Sequence, residues 1–176
     1  LNSSPILYKG VLYIGFKNRV VAFDLNEMKE KWNIKVSITP KTFFTVVDHY
    51  LLFPNRKSIL GIDTESKEVV FEYKFKREVV RTPINYKDGV IYFGTQYFFW
   101  HGFQSNEPLH VVMNGFDLKE KKFLFRYKVI NQRKISYPVM DGKTLIFTTN
   151  NSVIALDLKT GRKKWRKNSN DFYLSD

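Results

Sequence analysis

Short apolar runs alternate with turn-forming residues along the whole chain, and no stretch of comparable length holds a helical period. The pattern is clearest over residues 153–165. Val153 to Leu156 is apolar and rich in strand-forming side chains. Asp157 to Gly161 supplies turn chemistry, and Arg162 to Arg166 is a charged run holding one large aromatic, Trp165. This predicts a strand, a tight turn and a second strand, with the Asp157 carboxylate capping the turn and Gly161 at positive φ. The same frame occurs three times upstream. Asp24, Asp63 and Asp117 stand where Asp157 does, and Trp32, Phe71 and Phe125 follow them at the same eight-residue distance.

Each aspartate ends an apolar run: Val20 to Phe23, Ile59 to Ile62, Val111 to Phe116 and Val153 to Leu156. Another strand-like run precedes each of these: Val11 to Ile14, Tyr50 to Phe53, Val90 to Phe93 and Thr144 to Phe147. Earlier still come Pro5, Pro40, Pro83 and Pro138, each followed by a turn signal: Gly10, Asp48-His49, Asp88-Gly89 and Asp141-Gly142. Each repeat is therefore four short strands joined by tight turns, which predicts an all-β protein built of four-stranded antiparallel β-propeller blades. The repeats span approximately residues 4–35, 39–74, 82–128 and 136–166 of a single domain, 1–176. The aspartates lie 39, 54 and 40 residues apart, so the third repeat carries an insertion, which maps to residues 97–110.

Ala155, Asp157, Thr160, Gly161 and Trp165 match A-x-D-x-x-T-G-x-x-x-W, and Ala22, Asp24 and Trp32 keep its outline. This signature resembles the PQQ-like, quinoprotein-type propeller repeat, itself similar to WD40 repeats. Gly61 and Gly115 depart from it in place of the alanine, Phe71 and Phe125 in place of the tryptophan. The resemblance implies that the aromatics pack between neighbouring blades and that the aspartates cap turns, with no role in metal binding or catalysis. It also implies seven or eight blades where this sequence supplies four. The ring is then part of a longer propeller, is completed by a second copy, or closes with four blades.

Composition narrows the class further. With 43% hydrophobic residues, 16 Phe, 10 Tyr and 3 Trp, disorder is excluded. No apolar run reaches the roughly 18 residues of a membrane span. Leu-Asn-Ser-Ser at the start is not a signal peptide, and without an initiating Met either a leader has been removed or the chain is a piece of something longer. Without cysteine there is no disulfide, thiolate metal site or thiol nucleophile. The net charge of +12 fits solvated lysines on exposed strands better than nucleic-acid binding. This applies also to Lys159, Arg162, Lys163, Lys164, Arg166 and Lys167 around the last turn.

Blade topology places the turns between second and third strands on the same face as the connections between blades. That brings the insertion beside Arg77, Arg81, Arg133 and Lys134, with Arg19, Arg56 and Lys57 in the corresponding turns. Aromatic and guanidinium groups are the mixture enriched at protein-binding hot spots. A docking face is expected there, anchored by Tyr97, Phe98, Phe99, Trp100 and Phe103. The competing expectation is that the insertion buries these rings against its own blade. His49, His101 and His110 form no evident metal set, and no quinone or calcium constellation is visible, so no cofactor, metal site or catalytic residue is assigned. The expected function is a non-enzymatic protein-interaction scaffold, in extracytoplasmic or outer-membrane protein assembly. The alternatives are a lumenal sensor domain of a larger receptor or stress kinase, and a fragment of a PQQ-dependent dehydrogenase. The resemblance implies a periplasmic or secretory-lumen location. Partners are another protein or a second copy through the blade ends; nucleic acid is not expected, and a membrane only through a segment not in this sequence.

Overall fold

The computed structural model describes residues 3–40, 42–97 and 109–168, and every element among them is a β-strand. The chain divides into two compact units, Leu1–Lys76 and Arg77–Asp176, each holding two of the four repeats. In the first unit a short strand β1 (Ser3–Ser4) precedes blade 1, formed by β2 (Ile6–Tyr8), β3 (Val11–Phe16), β4 (Arg19–Asp24) and β5 (Lys29–Lys35). Then come β6 (Thr42–Phe43) and blade 2: β7 (Thr45–Val47), β8 (Tyr50–Asn55), β9 (Ser58–Asp63) and β10 (Glu68–Lys74). The second unit opens with β11 (Glu78–Val80). Blade 3 follows as β12 (Asn85–Lys87), β13 (Val90–Tyr97), β14 (His110–Asp117) and β15 (Lys122–Ile130). Blade 4 is β16 (Val139–Asp141), β17 (Thr144–Thr148), β18 (Ser152–Asp157) and β19 (Lys163–Asn168). Every pairing within a blade is antiparallel; β1 and β6 pair parallel to one another.

The central strands are buried on both faces, which is why they read as continuous apolar runs, whereas outer strands such as β15 alternate exposed and half-buried positions. Register repeats from blade to blade. One transverse row per blade carries Ile6, Tyr13, Ala22 and Trp32; Thr45, Leu52, Gly61 and Phe71; Asn85, Tyr92, Gly115 and Phe125; Val139, Ile146, Ala155 and Trp165. A bulge adjoins each row's aromatic, and in blades 2 and 3 the rings of Phe71 and Phe125 lie against Gly61 and Gly115 opposite.

The four aspartates accept hydrogen bonds from the backbone of the turn that follows. Asp24 Oδ1 accepts from Asn26 and Glu27, Asp63 from Glu65 and Ser66, Asp117 from Glu120, and Asp157 from Lys159 and Thr160. Four residues beyond each aspartate the backbone is left-handed: Met28 (φ 51), Lys67 (φ 64), Lys121 (φ 52) and Gly161 (φ 68). Only the last is glycine. The missing turn glycines of the earlier repeats thus change the residue and not the conformation, at a cost of roughly 1–2 kcal/mol each.

A second recurring bond fastens the entry to each blade. Ser3, Thr82 and Ser136 accept, through the side-chain oxygen, the backbone N–H of Gly15, Gly94 and Thr148, twelve residues ahead in each case. In blade 2 that place is Pro54, which has no N–H, and the Thr42 hydroxyl instead points its proton at Thr39 O and Pro54 O. The repeating feature is therefore the hydroxyl and not the proline: Pro40 stands two residues before Thr42, while Pro5, Pro83 and Pro138 follow their hydroxyls.

Each unit has its own core. In the first, Val11, Tyr13 and Trp32 of blade 1 pack with Leu51, Phe53, Leu60 and Ile62 of blade 2. In the second, Tyr92, Val111, Met113 and Val129 of blade 3 pack with Leu145, Phe147, Ile154 and Leu156 of blade 4. Burying each of these large side chains contributes about 1.5–3 kcal/mol. Trp32 is buried as expected of an inter-blade aromatic, and Phe71 and Phe125 are half-buried. Trp165 differs: it is exposed, because no described strand covers that side of blade 4.

Candidate protein-docking face

In blade 3 the strands flanking the insertion are long, eight residues in β13 and β14 and nine in β15. The extra length forms a stem. At its end the Tyr97 ring is buried and stacks on His110 with centroids 4.7 Å apart and planes 28° apart, and Arg77 Nη1 donates to the Tyr97 hydroxyl at 3.4 Å. Strand β11 pairs with the same extension, Glu78 to Val80 against Tyr97 to Thr95, and Arg81 Nε donates to Gln96 Oε1 at 2.8 Å. Phe98, Phe99, Trp100 and Phe103 lie outside the described residues, as does His101.

The connection between blades 3 and 4 runs alongside. Asn131 N donates to Leu109 O at 2.7 Å, tying the connection to the end of the insertion. Asn150, in the turn between β17 and β18, accepts from the backbone N–H of both Arg133 and Lys134, at 3.0 and 2.8 Å. Backbone is pinned while the two cationic side chains stay exposed. Arg77, Arg81, Arg133 and Lys134 thus share the insertion side of the second unit, and none of them forms an ion pair with a carboxylate among the described residues. Arg19, Arg56 and Lys57 occupy the corresponding turns of the first unit. Gln132 Oε1 and Thr149 Oγ1, on the same connection and the strand end beside it, are buried without a hydrogen-bond partner.

Beneath the face lies a polar ladder that sequence reasoning missed. Glu78 accepts from Arg126 Nη2 and from the Thr95 hydroxyl. Asn114 Nδ2 donates to Thr95 Oγ1 at 3.1 Å, and Arg126 Nε donates to Asn114 Oδ1 at 3.0 Å. Thr95 and Asn114 are fully buried. The ladder crosses β11, β13, β14 and β15, and satisfies the Glu78 carboxylate from within. An asparagine inside the apolar run Val111 to Phe116 was its visible signal.

Backbone N–H bonds hold the carboxyls of Asp24, Asp63 and Asp157 below their usual value. Burial, reinforced by Asp88 and Asp157, pushes the Tyr92 phenol up to about 12, and its hydroxyl donates to Leu158 O at 3.3 Å. His49 Nε2 sits 3.6 Å from Asp63 Oδ2, within the first unit. Among the described residues no three His, Asp or Glu side chains group as a metal site, and no helix is long and apolar enough to cross a membrane.

No family model and no curated protein matches the sequence. Solved structures do match the fold. A quinohemoprotein alcohol dehydrogenase from Comamonas testosteroni aligns with a TM-score of 0.74 at 10% identity over 94% of this chain. A second such enzyme, from Pseudomonas putida HK5, aligns with a TM-score of 0.72 at 11% identity. The chain spans 34% of each of those chains. The computationally designed protein Ika4 aligns with a TM-score of 0.66 at 5% identity, over 89% of this chain and 90% of its own. At these identities the likeness is one of fold: the chain is built of four-stranded antiparallel β-propeller blades.

Proposed function

We propose that this chain is a non-enzymatic protein-interaction module, working outside the cytoplasm, that docks an acidic segment of another protein on the insertion side of its second unit. One observation carries the proposal: Arg77, Arg81, Arg133 and Lys134 are exposed on the connections flanking the insertion, the backbone of Arg81, Arg133 and Lys134 is held by hydrogen bonds, and the carboxylate of Glu78, next to Arg77, is engaged by Arg126 and Thr95. Cations held on ordered backbone and without a carboxylate partner among the described residues favour an anionic partner, and guanidinium groups suit its carboxylates. Tyr97 serves as support for Arg77 and not as a contact residue, since its ring is buried against His110. The extracytoplasmic location rests on the resemblance of the Asp157 to Trp165 signature.

Fluorescence anisotropy with a labelled peptide of alternating glutamate and leucine tests this. Reversal of Arg133 and Lys134 to glutamate weakens binding about tenfold, equivalent to ~1.4 kcal/mol. The same reversal at Lys163 and Lys164, in the other basic cluster, leaves it within twofold. Equal losses at both sites would reduce the effect to net charge, and tighter binding of a single-stranded oligonucleotide would assign the face to nucleic acid.

A further inference from the structure

Two apolar faces in this chain are open where their repeat equivalents are closed. In blades 1 and 3 the transverse row meets the following blade: Tyr13 bonds Thr64, Tyr92 bonds Leu158, and Phe125 lies against Gly161. In blade 4 no described strand covers the same row, although Ala155 within it is buried. Val139 is 58% exposed, Trp165 is 42% exposed, and Ile146 between them is partly open.

The complementary side is open in blade 1. Blades 2 and 4 receive their predecessors with Leu51, Phe53 and Ile62 or with Leu145, Phe147 and Leu156, all at most 1% exposed. The corresponding Leu12, Ile14 and Phe23 of blade 1 are all partly open. Leu158, which follows Asp157, is 8% exposed, whereas Leu25, which follows Asp24, is 38% exposed. Met28, the counterpart of the Gly161 that meets Phe125, is 71% exposed. Charge adds little to the match: strand β19 carries Lys163, Lys164, Arg166 and Lys167 around Trp165, while on blade 1 Asp24 and Glu27 already pair with Lys31 and Lys29.

We infer that the open row of blade 4 binds the open face of blade 1 in a second copy of this chain, head to tail. The two faces are the halves of the contact that already joins the blades within each unit, so the shape each requires is the shape the other supplies. Exposed apolar surface of this extent is a docking surface more often than a resting one. Head-to-tail contacts use two different patches, so each copy keeps one free partner face until a ring closes.

The test is the mass of the 176-residue chain across a concentration series, by light scattering and sedimentation. The wild type associates reversibly. Trp165→Glu and Met28→Glu each weaken association about tenfold or more, with an unchanged melting temperature, because both side chains are exposed. An equimolar mixture of the two variants forms heterodimers, since one intact pair of faces remains. Combining Trp165→Glu with Met28→Lys in one chain restores association. A single-chain mass at every concentration overturns the inference. So does association abolished by Trp165→Glu and untouched by Met28→Glu, which would mean blade 4 pairing with itself. A longer polypeptide that stays monomeric with Trp165 protected would assign both faces to further blades of its own. None of these outcomes depends on the peptide-docking result.

Discussion

Phe125 of blade 3 lies directly over Gly161 of blade 4: a Cβ built on Gly161 would stand 2.2 Å from Phe125 Cγ. The glycine is needed twice, for its φ of 68° and for the ring above it. Gly161→Ala therefore costs about 2–4 kcal/mol, combining left-handed strain with overpacking against the ring. Lys67 holds the same backbone position in blade 2 at a φ of 64°. There the relief of backbone strain outweighs the extra entropy of an unfolded glycine, and Lys67→Gly stabilises by about 0.5–1 kcal/mol. Urea midpoints of the two variants should move in opposite directions.

The hydroxyl bonds at blade entries make a paired prediction. Thr82→Val removes the acceptor of the buried Gly94 N–H and costs about 1–3 kcal/mol, the penalty of an orphaned donor. Thr42→Val strands no backbone donor, because Pro54 has none to lose, and beyond its bonds to carbonyls removes only the part-buried contact with the Thr39 hydroxyl, so it costs about 0.5–1 kcal/mol. Denaturant melts of equal slope but unequal midpoint would show it.

Removing Arg126 exposes the dependence of the polar ladder on its cation. Arg126→Met leaves Glu78 and Asn114 Oδ1 without their guanidinium partner and destabilises by about 1–3 kcal/mol, discounted because Arg126 is partly solvated. Adding Glu78→Gln to it recovers part of the loss, since the unpaired charge is gone. A double-mutant cycle measures that coupling.

Stability has two pH limbs with different owners. The Asp24, Asp63 and Asp157 carboxyls titrate lower in the folded chain than the usual 3.8, so their contribution is complete above that pH and is lost as pH falls further. Asp157→Asn flattens part of this acid limb. Tyr92 titrates near 12 when folded against an ordinary 10.0, so stability holds below pH 10.0 and is lost as pH rises toward 12. Tyr92→Phe flattens the alkaline limb, read as unfolding free energy against pH.

The blade count and most strand positions were legible because the repeating Asp-to-aromatic frame tracks bonds between neighbouring residues: each aspartate caps its own turn, and each aromatic faces the small residue of its own row. What escaped was long-range. The Ser3, Thr82 and Ser136 bonds join residues twelve apart, and the proline beside each hydroxyl was the louder signal. The exposure of Trp165 was unreadable because its residue type and register match those of Trp32; only the presence or absence of a covering blade separates them. The Glu78 to Arg126 pair spans forty-eight positions and carries no repeat.

The tyrosine of the transverse row appears in blades 1 and 3 alone, as Tyr13 and Tyr92; Leu52 and Ile146 stand in its place in blades 2 and 4. The row is thus read in couplets, a hydroxyl-bearing blade followed by an aliphatic one that supplies its acceptor: Thr64 for Tyr13 and the Leu158 carbonyl for Tyr92. Shortening the chain by a single blade would bury a phenol without its acceptor, whereas removing a whole couplet would not.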